Sequence, residues 1–367
     1  MAPRPIRILQ IVSSLSAGNG ALSVVLNWHR HIDPAKVQFD YLYFIQTPVT
    51  KEAEITRLGG RVYYVPYPSR NLLGFLCETY RFFKNHWYHT IHSHVTAPNF
   101  IFYPLARLFG TKNIVQHAHL NKWGETKRSA LRNYLMLHAV WPLINYKMAC
   151  SQAAGKVYFG KDFTVVNNGI DVDKFAYNPT VRGAKRNELQ VENNFVIGHV
   201  GRFSAQKNHR FLLEIFEEVL SRKPSAKLML VGGTGPLEKE IRKRVAEKHL
   251  QDHVLFLGMR EDIADLCQAF DVFVFPSLYE GLGIVAIEAQ AAGLLCVLAD
   301  TLPPEAFVCN YKKLPLGNAQ EWARAILPLE ESFNRQNTAG KVVQAGFSAG
   351  EIAQRMQTFY QGIEASR

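Results

Sequence analysis

The sequence has 367 residues, of which 47% are hydrophobic and 20% charged. This composition is typical of a globular protein and excludes a disordered one, and the length favours two domains. No apolar run reaches the ~18–20 residues of a membrane-spanning helix, and the opening run IRILQIVSS indicates a first strand rather than a secretory signal. We therefore expect a cytoplasmic protein.

The positive charge lies in the first half of the chain. Residues 1–175 carry 20 Lys and Arg against 9 Asp and Glu, whereas residues 176–367 carry 22 of each. This asymmetry indicates an anionic partner, for which a membrane surface, a phosphorylated acceptor and nucleic acid are candidates. A basic, solvated face without a partner is the alternative. The five cysteines form no CxxC pair and indicate neither a zinc site nor a disulfide framework.

Short apolar runs alternate with helical patterns along the chain. In the first half, the predicted strands are 6–14, 39–45, 61–67, 90–95, 113–119, 146–151 and 163–168. In the second half they are 194–201, 226–233, 254–258, 271–277 and 295–300. Strands that alternate with helices predict parallel sheets with right-handed crossovers, and therefore two doubly wound α/β domains.

The domain boundary is predicted in a polar, basic stretch that contains Pro179 and Gly183. We assign residues 1–175 to a first domain, 176–189 to a linker and about 190–346 to a second domain. The tail from about 347 to 367 has apolar residues at helical spacing and is predicted as one further helix.

The segment YEGLGIVAIE (279–288) follows a predicted strand, beyond whose carboxyl end ligands bind in open α/β sheets. Its glycines lie at the start of a predicted helix, where exposed N–H groups suit a phosphate. Glu280 would stand in the loop, and Glu288 on the helix could accept hydrogen bonds from sugar hydroxyls. A helix-capping acid and a solvated helix acid are the alternatives.

Basic and imidazole side chains follow other predicted strands. Arg202 and Lys207 follow 194–201 and could neutralise a diphosphate, although two ordinary surface cations are the alternative. Histidines end two neighbouring strands in pairs, and strand alternation puts both members of a pair on the same side. These pairs are His92 with His94 and His117 with His119. No carboxylate nearby supports a metal site, so we expect one imidazole on a sugar hydroxyl, or rings satisfied within the fold.

Taken together, these motifs resemble glycosyltransferase family 4. The similarity rests on Glu280-x7-Glu288, GRFSAQKN (201–208), VVNNGIDVDKF (165–175) and VLFLG (254–258), in an order that spans nearly the whole chain. NGALSVVLNWHRHID (19–33) is similar to the bacterial branch that builds capsular and exopolysaccharide repeat units. The resemblance implies the GT-B fold, in which two Rossmann-like domains face each other and a C-terminal helix crosses back to the first. It also implies a retaining hexosyltransferase that uses a nucleotide-sugar, by family habit a UDP-sugar.

The resemblance implies roles for individual residues. The catalytic group comprises His119, Glu280, Arg202 and Lys207, of which the two cations hold the donor diphosphate. The donor-binding group comprises Asn19, Gly20, Gly258, Arg260, Gly281, Leu282, Gly283, Ile284 and Glu288. Asn19 replaces the first glycine of the family's Gly-Gly loop, and His117 is the close alternative to His119.

No metal or other cofactor is expected, because no D-x-D motif lies in a suitable loop. The DVD at 171–173 lies in the segment between the domains and indicates a turn. Cationic side chains and a helix N-terminus would stabilise the leaving diphosphate instead. A GT-B nucleotide-sugar epimerase is one alternative function. A non-catalytic basic protein that binds nucleic acid or membrane is another, but no nucleic-acid module is found and no nucleic-acid partner is expected.

The acceptor is expected on the basic first half. The stretch 123–144 combines aromatic and basic side chains in an amphipathic pattern that can lie at a membrane interface. The residues that carry this prediction are Trp123, Lys127, Arg128 and Arg132. We expect a polyprenyl-diphosphate-linked glycan as acceptor and an anionic inner-membrane surface as partner. A core-facing helix with a basic outer side is the alternative.

Overall fold

The computed structural model describes residues 5–16, 18–124, 126–233, 235–328 and 334–365. They form two compact units, which comprise residues 1–169 with 349–367, and residues 170–348. Each unit is built on a parallel sheet whose central strands are mostly buried, as expected where helices cover both faces.

Within the described residues, the first unit has a seven-stranded sheet in the order β3-β2-β1-β4-β5-β6-β7. Its strands are β1 Ile6–Ile11, β2 Val37–Tyr43, β3 Val62–Tyr64, β4 Thr90–Ser93, β5 Asn113–Ala118, β6 Tyr146–Ala149 and β7 Thr164–Val165. Its helices begin with α1 Gly20–His31, α2 Glu52–Arg57, α3 Leu72–Asn85, α4 Asn99–Leu108, α5 Lys127–Ala139 and α6 Gln152–Phe159. Every strand predicted in this half is present.

The second unit repeats the architecture with a six-stranded sheet, counted over its described residues, in the order β10-β9-β8-β11-β12-β13. Its strands are β8 Phe195–Val200, β9 Ala226–Val231, β10 Val254–Gly258, β11 Val272–Phe275, β12 Leu295–Ala299 and β13 Tyr311–Leu314. Its helices are α7 Val172–Phe175, α8 Pro179–Glu188, α9 His209–Leu220, α10 Glu238–Glu247, α11 Ile263–Ala269, α12 Ile284–Ala291, α13 Ala319–Ile326 and α14 Ala339–Gln344. Single 3₁₀ turns lie at Trp141–Leu143, Ala205–Lys207 and Pro304–Ala306.

The stretch 176–189, predicted as a linker, is instead structured within the second unit, which begins at Ile170. Asn178 caps α8 by accepting from two backbone N–H groups, and a proline in the first helical position suits a helix start. Arg182 and Arg186 on this helix both pair with Asp271 beside β11. The basic charge of this stretch therefore docks a helix and does not keep a linker solvated.

The chain returns to the first unit in its last helix, α15 (Ala349–Ala365), which packs against α1. Thr90 on β4 donates from its hydroxyl to Glu364 at 2.6 Å, and the backbone N–H of Asp33 donates to the Gln357 side chain at 2.9 Å. Tyr360 is fully buried. The predicted return of the C-terminal helix is thus confirmed.

Candidate active site

A lysine and a glutamate pair at the carboxyl ends of two neighbouring strands. Lys207 lies in the 3₁₀ turn after β8, and Glu280 lies in the loop between β11 and α12. The Lys207 Nζ atom donates to Oε1 of Glu280 at 2.6 Å, and the Ser277 hydroxyl donates to the same oxygen at 2.6 Å. An ion pair therefore occupies the place where open α/β sheets bind ligands.

This ion pair is shielded but not sealed. The side chains of Lys207 and Glu280 are 16% and 8% exposed, and Nζ lies 4.6 Å from the ring centroid of Phe275 in a cation–π contact. Oε1 of Glu280 is taken by Lys207 and Ser277, whereas Oε2 has no hydrogen-bond partner among the described residues. That oxygen is available to a ligand hydroxyl.

The two loops are tied to each other by hydrogen bonds. Gln206 donates from its side chain to the Tyr279 carbonyl at 2.9 Å, and its own carbonyl accepts from the Leu278 N–H at 2.8 Å. The Ser277 hydroxyl oxygen lies 2.9 Å from the same carbonyl, and Thr301 donates to the Ser277 carbonyl at 2.7 Å. The charged pair is therefore held in place without a ligand, which is the condition for electrostatic preorganisation.

Glycine shapes the start of α12. Gly283 has a φ of +82°, which side-chain-bearing residues rarely adopt, and a Cβ there would lie 2.8 Å from Leu302. Gly281 and Leu282 are buried, and Ile284 is the first residue of the helix. Because glycine at the N-cap offers no capping side chain, the first N–H groups of α12 are left for an anion.

Glu288 lies on α12 and is half-buried. Desolvation raises the pKa of its carboxyl to about 8. At neutral pH the group is therefore mostly protonated. A strongly shifted carboxyl beside an open helix start is a feature of ligand sites.

Other predicted donor-binding residues lie on the loops after β8 and β10. Arg202 is exposed directly after β8. Gly258 has a φ of +67°, and its carbonyl accepts from the N–H of Gly232 at 2.9 Å. The Arg260 guanidinium forms two hydrogen bonds with Asp262, at 2.7 and 2.6 Å, and this pairing lowers the pKa of the carboxyl. Arg260 thus stiffens its loop through Asp262.

Two histidines lie beneath the site. His199 on β8 is fully buried and shares a hydrogen bond with the Val274 carbonyl at 2.9 Å. His209 begins α9 and lies 4.5 Å from the ring of Phe203. Burial lowers the pKa of His199 to about 4 and that of His209 to about 2, so both rings are neutral at physiological pH.

In the first unit, Asn19 and Gly20 lie at the start of α1. The side-chain oxygen of Asn19 caps the helix, and its side-chain nitrogen donates to Ser13 and Ser14 at 2.9–3.2 Å. A Cβ on the exposed Gly20 would meet no atom within 4 Å. The Asn19 side chain, which stands in place of the first glycine of the family's Gly-Gly loop, is thus turned inward. The space next to Gly20 stays open.

The four predicted histidines lie together, and the members of each pair share one side of the sheet. His92, His94 and His117 are buried, whereas His119 is half-buried. His117 is only 1% exposed, so its ring has little surface with which to contact an acceptor in this conformation. Nitrogens of His92, His94 and His117 lie within 4.8 Å of one another, the distance at which a metal ion must be considered.

The basic aromatic stretch forms α5 and its flanks. Lys127, Arg128 and Arg132 are exposed on this helix. Trp123 is half-buried and stacks on Tyr158 at 4.2 Å, so it anchors the loop before α5 and does not project from it. Among the described residues, no helix has the length and apolar composition that crossing a bilayer requires.

Ser277, Phe275 and Gln206 were not foreseen as parts of this site. They contact Glu280, Lys207 and the intervening backbone. Their position at the end of a buried strand was the available signal, but serine, phenylalanine and glutamine are common at such places.

The profile of the glycosyl transferases of group 1 matches residues 181–344. EpsF of Bacillus subtilis, which is named as a glycosyltransferase, is 35% identical over 307 residues, covering 81% of this chain and 79% of EpsF. The chain belongs to the group 1 glycosyltransferases. A galactosyltransferase of Escherichia coli, which transfers galactose from UDP-Gal to GlcNAc-diphosphoundecaprenol, is 28% identical over 257 residues, or 65% of this chain and 66% of that enzyme.

The fold of this glycosyltransferase is shared with solved structures. HepE of Anabaena, solved with UDP and glucose, superposes with a TM-score of 0.80 at 21% identity, covering 97% of this chain and all of HepE. The glycosyltransferase therefore has the GT-B fold. These relatives place it among the hexosyltransferases of bacterial polysaccharide biosynthesis and do not favour the epimerase alternative.

Proposed function

We propose that this enzyme transfers a hexose from a UDP-sugar to a polyprenyl-diphosphate-linked glycan, with retention of anomeric configuration and without a metal ion. The observation that carries the proposal is the Lys207–Glu280 pair beside the open start of α12. Retention is carried over from the family resemblance. Uridine as the base is supported by the donor named for the Escherichia coli relative and by the UDP bound to HepE.

The chemistry follows from where charge develops. As the bond to the sugar breaks, negative charge gathers on the nucleotide diphosphate. Lys207, Arg202 and the N–H groups of Gly283 and Ile284 supply positive charge at the ends of β8 and β11. Oε2 of Glu280 accepts a hydrogen bond from a hydroxyl of the donor sugar. A contact of His119, in the first unit, with a sugar hydroxyl is carried over from the family resemblance.

A thermal-shift screen tests the donor assignment. UDP-sugars are expected to raise the melting temperature, because a ligand that binds only the folded chain stabilises it. GDP-sugars and EDTA-treated samples form the comparison arms. A GDP-sugar that stabilises while UDP-sugars do not would overturn the base assignment, and a shift lost with EDTA would overturn metal independence. A new epimer formed from the donor alone would favour the epimerase alternative.

Binding of a UDP-sugar at pH 7 is expected to release about 0.9 proton, because Glu288 starts with a pKa of about 8. In this proposal the ribose hydroxyls donate to Glu288, which favours its ionised form and lowers the pKa. Affinity then rises with pH up to about 8. Titration calorimetry in phosphate and in Tris measures the release, since the two buffers differ in ionisation enthalpy.

Glu288→Gln is the matched control, because the amide keeps the shape and cannot ionise. Its binding heat is expected to be the same in both buffers. Equal heats for the wild-type enzyme would remove Glu288 from the ribose site. The UDP-sugar diphosphate has no group that titrates near pH 7, so the ligand does not contribute.

The acceptor side is assigned to the first unit and to a membrane surface. On α5, Leu131 and Leu135 are 60% and 57% exposed beside the three basic side chains. Exposed leucines also lie on α3 and α4, where Leu73 is 76% and Leu108 is 69% exposed. Exposed leucines next to Lys and Arg suit an anionic lipid interface.

Vesicles with anionic lipid are expected to float the enzyme, and Lys127/Arg128/Arg132→Ala is expected to reduce the bound fraction about ten-fold or more, at ~1 kcal/mol for each cation. Raising the salt concentration should act in the same direction. A matched control is Lys239/Lys243→Ala on α10 of the second unit, where both lysines are exposed. Equal, salt-insensitive behaviour of all three proteins would contradict a membrane role for α5.

A further inference from the structure

The four histidines lie on β4 and β5 or directly after them, and they form a block of two hydrogen-bonded pairs stacked on each other. Across the strands, Nε2 of His92 lies 3.2 Å from Nδ1 of His117, and Nδ1 of His94 lies 2.8 Å from Nε2 of His119. Along the strands, the rings stack at 4.4 Å, with His92 on His94 and His117 on His119. The proposed role of His119 uses one ring and leaves the other three unexplained.

Gln10 on β1 and Tyr360 on α15 connect the two pairs. The amide oxygen of Gln10 lies 2.9 Å from Nε2 of His94, and its amide nitrogen donates to the Tyr360 hydroxyl at 3.2 Å. That hydroxyl lies 2.7 Å from Nδ1 of His92. Gln10, Tyr360 and His92 are all fully buried, so no solvent competes for these bonds.

The orientation of the Gln10 amide sets which atom donates and which accepts in each hydrogen bond of this network. Its oxygen can only accept, so His94 carries its proton on Nε2 and accepts on Nδ1 from Nε2 of His119. Its nitrogen donates to the Tyr360 hydroxyl, and among the described residues Nδ1 of His92 is the acceptor left for the proton of that hydroxyl, so the hydroxyl donates to His92. Burial also raises the pKa of Tyr360, which keeps the hydroxyl proton in place.

The second pair follows the same rule. His92 accepts on Nδ1 and donates from Nε2 to Nδ1 of His117, whose own Nε2 is buried and has no hydrogen-bond partner in the described part of the chain. All four rings are therefore neutral and carry the proton on Nε2. Desolvation favours the neutral state, since it lowers the pKa of His119 to about 4 and those of the other three well below their ordinary value.

This geometry does not favour a metal ion at His92, His94 and His117. A ring nitrogen coordinates through a lone pair in the plane of its ring, and the planes of these three rings are inclined by only 16–29° to one another. Stacked, nearly parallel rings cannot aim three lone pairs at one point. Their facing nitrogens are moreover already hydrogen-bonded within the block.

We propose that Gln10 is a positioning residue that fixes the tautomer of His119 through His94, so that Nδ1 of His119 presents a lone pair to a hydroxyl of the sugar ligand. Tyr360 fixes the tautomers of the neighbouring His92–His117 pair. Nδ1 of His119 has no hydrogen-bond partner among the described residues, and His119 is the half-exposed member of the block. The site then takes a hydroxyl that donates to it and discriminates against a deoxy or O-methyl analogue. This inference rests on the proposed function for the contact between His119 and the sugar, but the tautomer itself does not.

Long-range ¹H–¹⁵N correlation spectra of the full chain, labelled with ¹⁵N-histidine, test the tautomers without any ligand. At pH 7.5 each of the four rings is expected to show one protonated nitrogen, Nε2, with resonances assigned from single histidine variants. Gln10→Met is expected to convert His94 and His119 to mixed tautomers, because the acceptor that orients them is lost. Gln116→Met is the control, because Gln116 is also buried. Its side-chain oxygen accepts hydrogen bonds from Asn99 and Tyr103, and among the described residues its side chain forms no hydrogen bond with a histidine ring.

Tyr360→Phe distinguishes the two hydrogen-bonded histidine pairs. It removes the donor to His92, so the His92–His117 pair is expected to become mixed while His94 and His119 keep the proton on Nε2. With a donor identified, Gln10→Met is expected to lower turnover about ten-fold and to abolish discrimination against the analogue lacking the hydroxyl, whereas Gln116→Met retains it.

Three results would overturn the inference. They are protonation of the wild-type rings on Nδ1, unchanged tautomers in Gln10→Met, and stoichiometric displacement of the ring resonances by added Zn²⁺. Failure of every nucleotide-sugar to bind would instead contradict the proposed function and leave the tautomer result standing.

Discussion

Alanine at Lys207 or at Glu280 is expected to lower the rate of sugar transfer by ~10²-fold or more. Lys207 supplies positive charge to the leaving diphosphate, and Glu280 both holds that ammonium at 2.6 Å and offers its second oxygen to the donor sugar. Either substitution also leaves a charge with little solvent and no partner, which adds to the loss. Initial rates with a lipid-linked acceptor measure the effect.

The double variant sharpens this prediction. Because the two side chains act as a unit, Lys207→Ala/Glu280→Ala is expected to be no slower than the worse single variant. Arg210→Ala is the control for removing a salt bridge, since Arg210 pairs with Glu240 at 2.6 Å but its side chain is 51% exposed. It should change the rate by less than about two-fold. Near-normal transfer in both Lys207→Ala and Glu280→Ala would refute the site.

In a Glu288→Gln background, acidification from pH 7 to pH 5 is expected to lower the free energy of unfolding of the second unit by about 4 kcal/mol, about 2 from each of His199 and His209. The background variant removes the opposing titration of the Glu288 carboxyl, whose pKa is raised to about 8. Both rings are held neutral, with pKa values of about 4 and about 2 against an ordinary value of 6.5. As the pH falls, the two rings therefore bind protons in the unfolded chain before they do so in the folded one. The stability that the neutral rings contribute is complete above about pH 6.5 and is lost as the pH falls below that value. Urea unfolding at several pH values measures the slope.

His209→Leu removes one of the two titrations and is expected to halve this slope in the second unit. His249→Asn is the control, because His249 is exposed and its backbone φ of +56° is one that asparagine accepts. It should leave the slope unchanged. Equal free energies at pH 7 and pH 5 would show that the buried rings titrate normally.

The strands could be predicted because both faces of each sheet are covered. Buried parallel strands are apolar throughout, and runs such as 272–275 and 295–299 stand out in the sequence. β13 was missed because Lys312 and Lys313 interrupt it, which an edge strand tolerates. α8 was missed because its arginines are anchored by Asp271, a contact that sequence patterns do not show.

The same limit applies to the site. The predicted strands placed Lys207 and Glu280 beyond the carboxyl ends of parallel strands. Their direct pairing depends on loops held by Gln206 and Ser277, which the sequence did not show. Strand alternation placed the histidines on one side, but not their bonds to one another or to Tyr360. Local patterns predict where a side chain points, and contacts between distant segments decide what it meets.

The return of α15 to the first unit has a consequence for synthesis on the ribosome. The segment that buries Tyr360 against β1 and β4 leaves the exit tunnel only after the second unit, long after α1 and the first sheet have emerged. An N-terminal domain usually completes its fold first during synthesis, but the first unit of this chain cannot do so before the second unit has been synthesised. Until the whole second unit has been translated, Gln10 and the buried histidines lack their last partner, so early release or a stalled ribosome would leave the first unit exposed to chaperones and proteases.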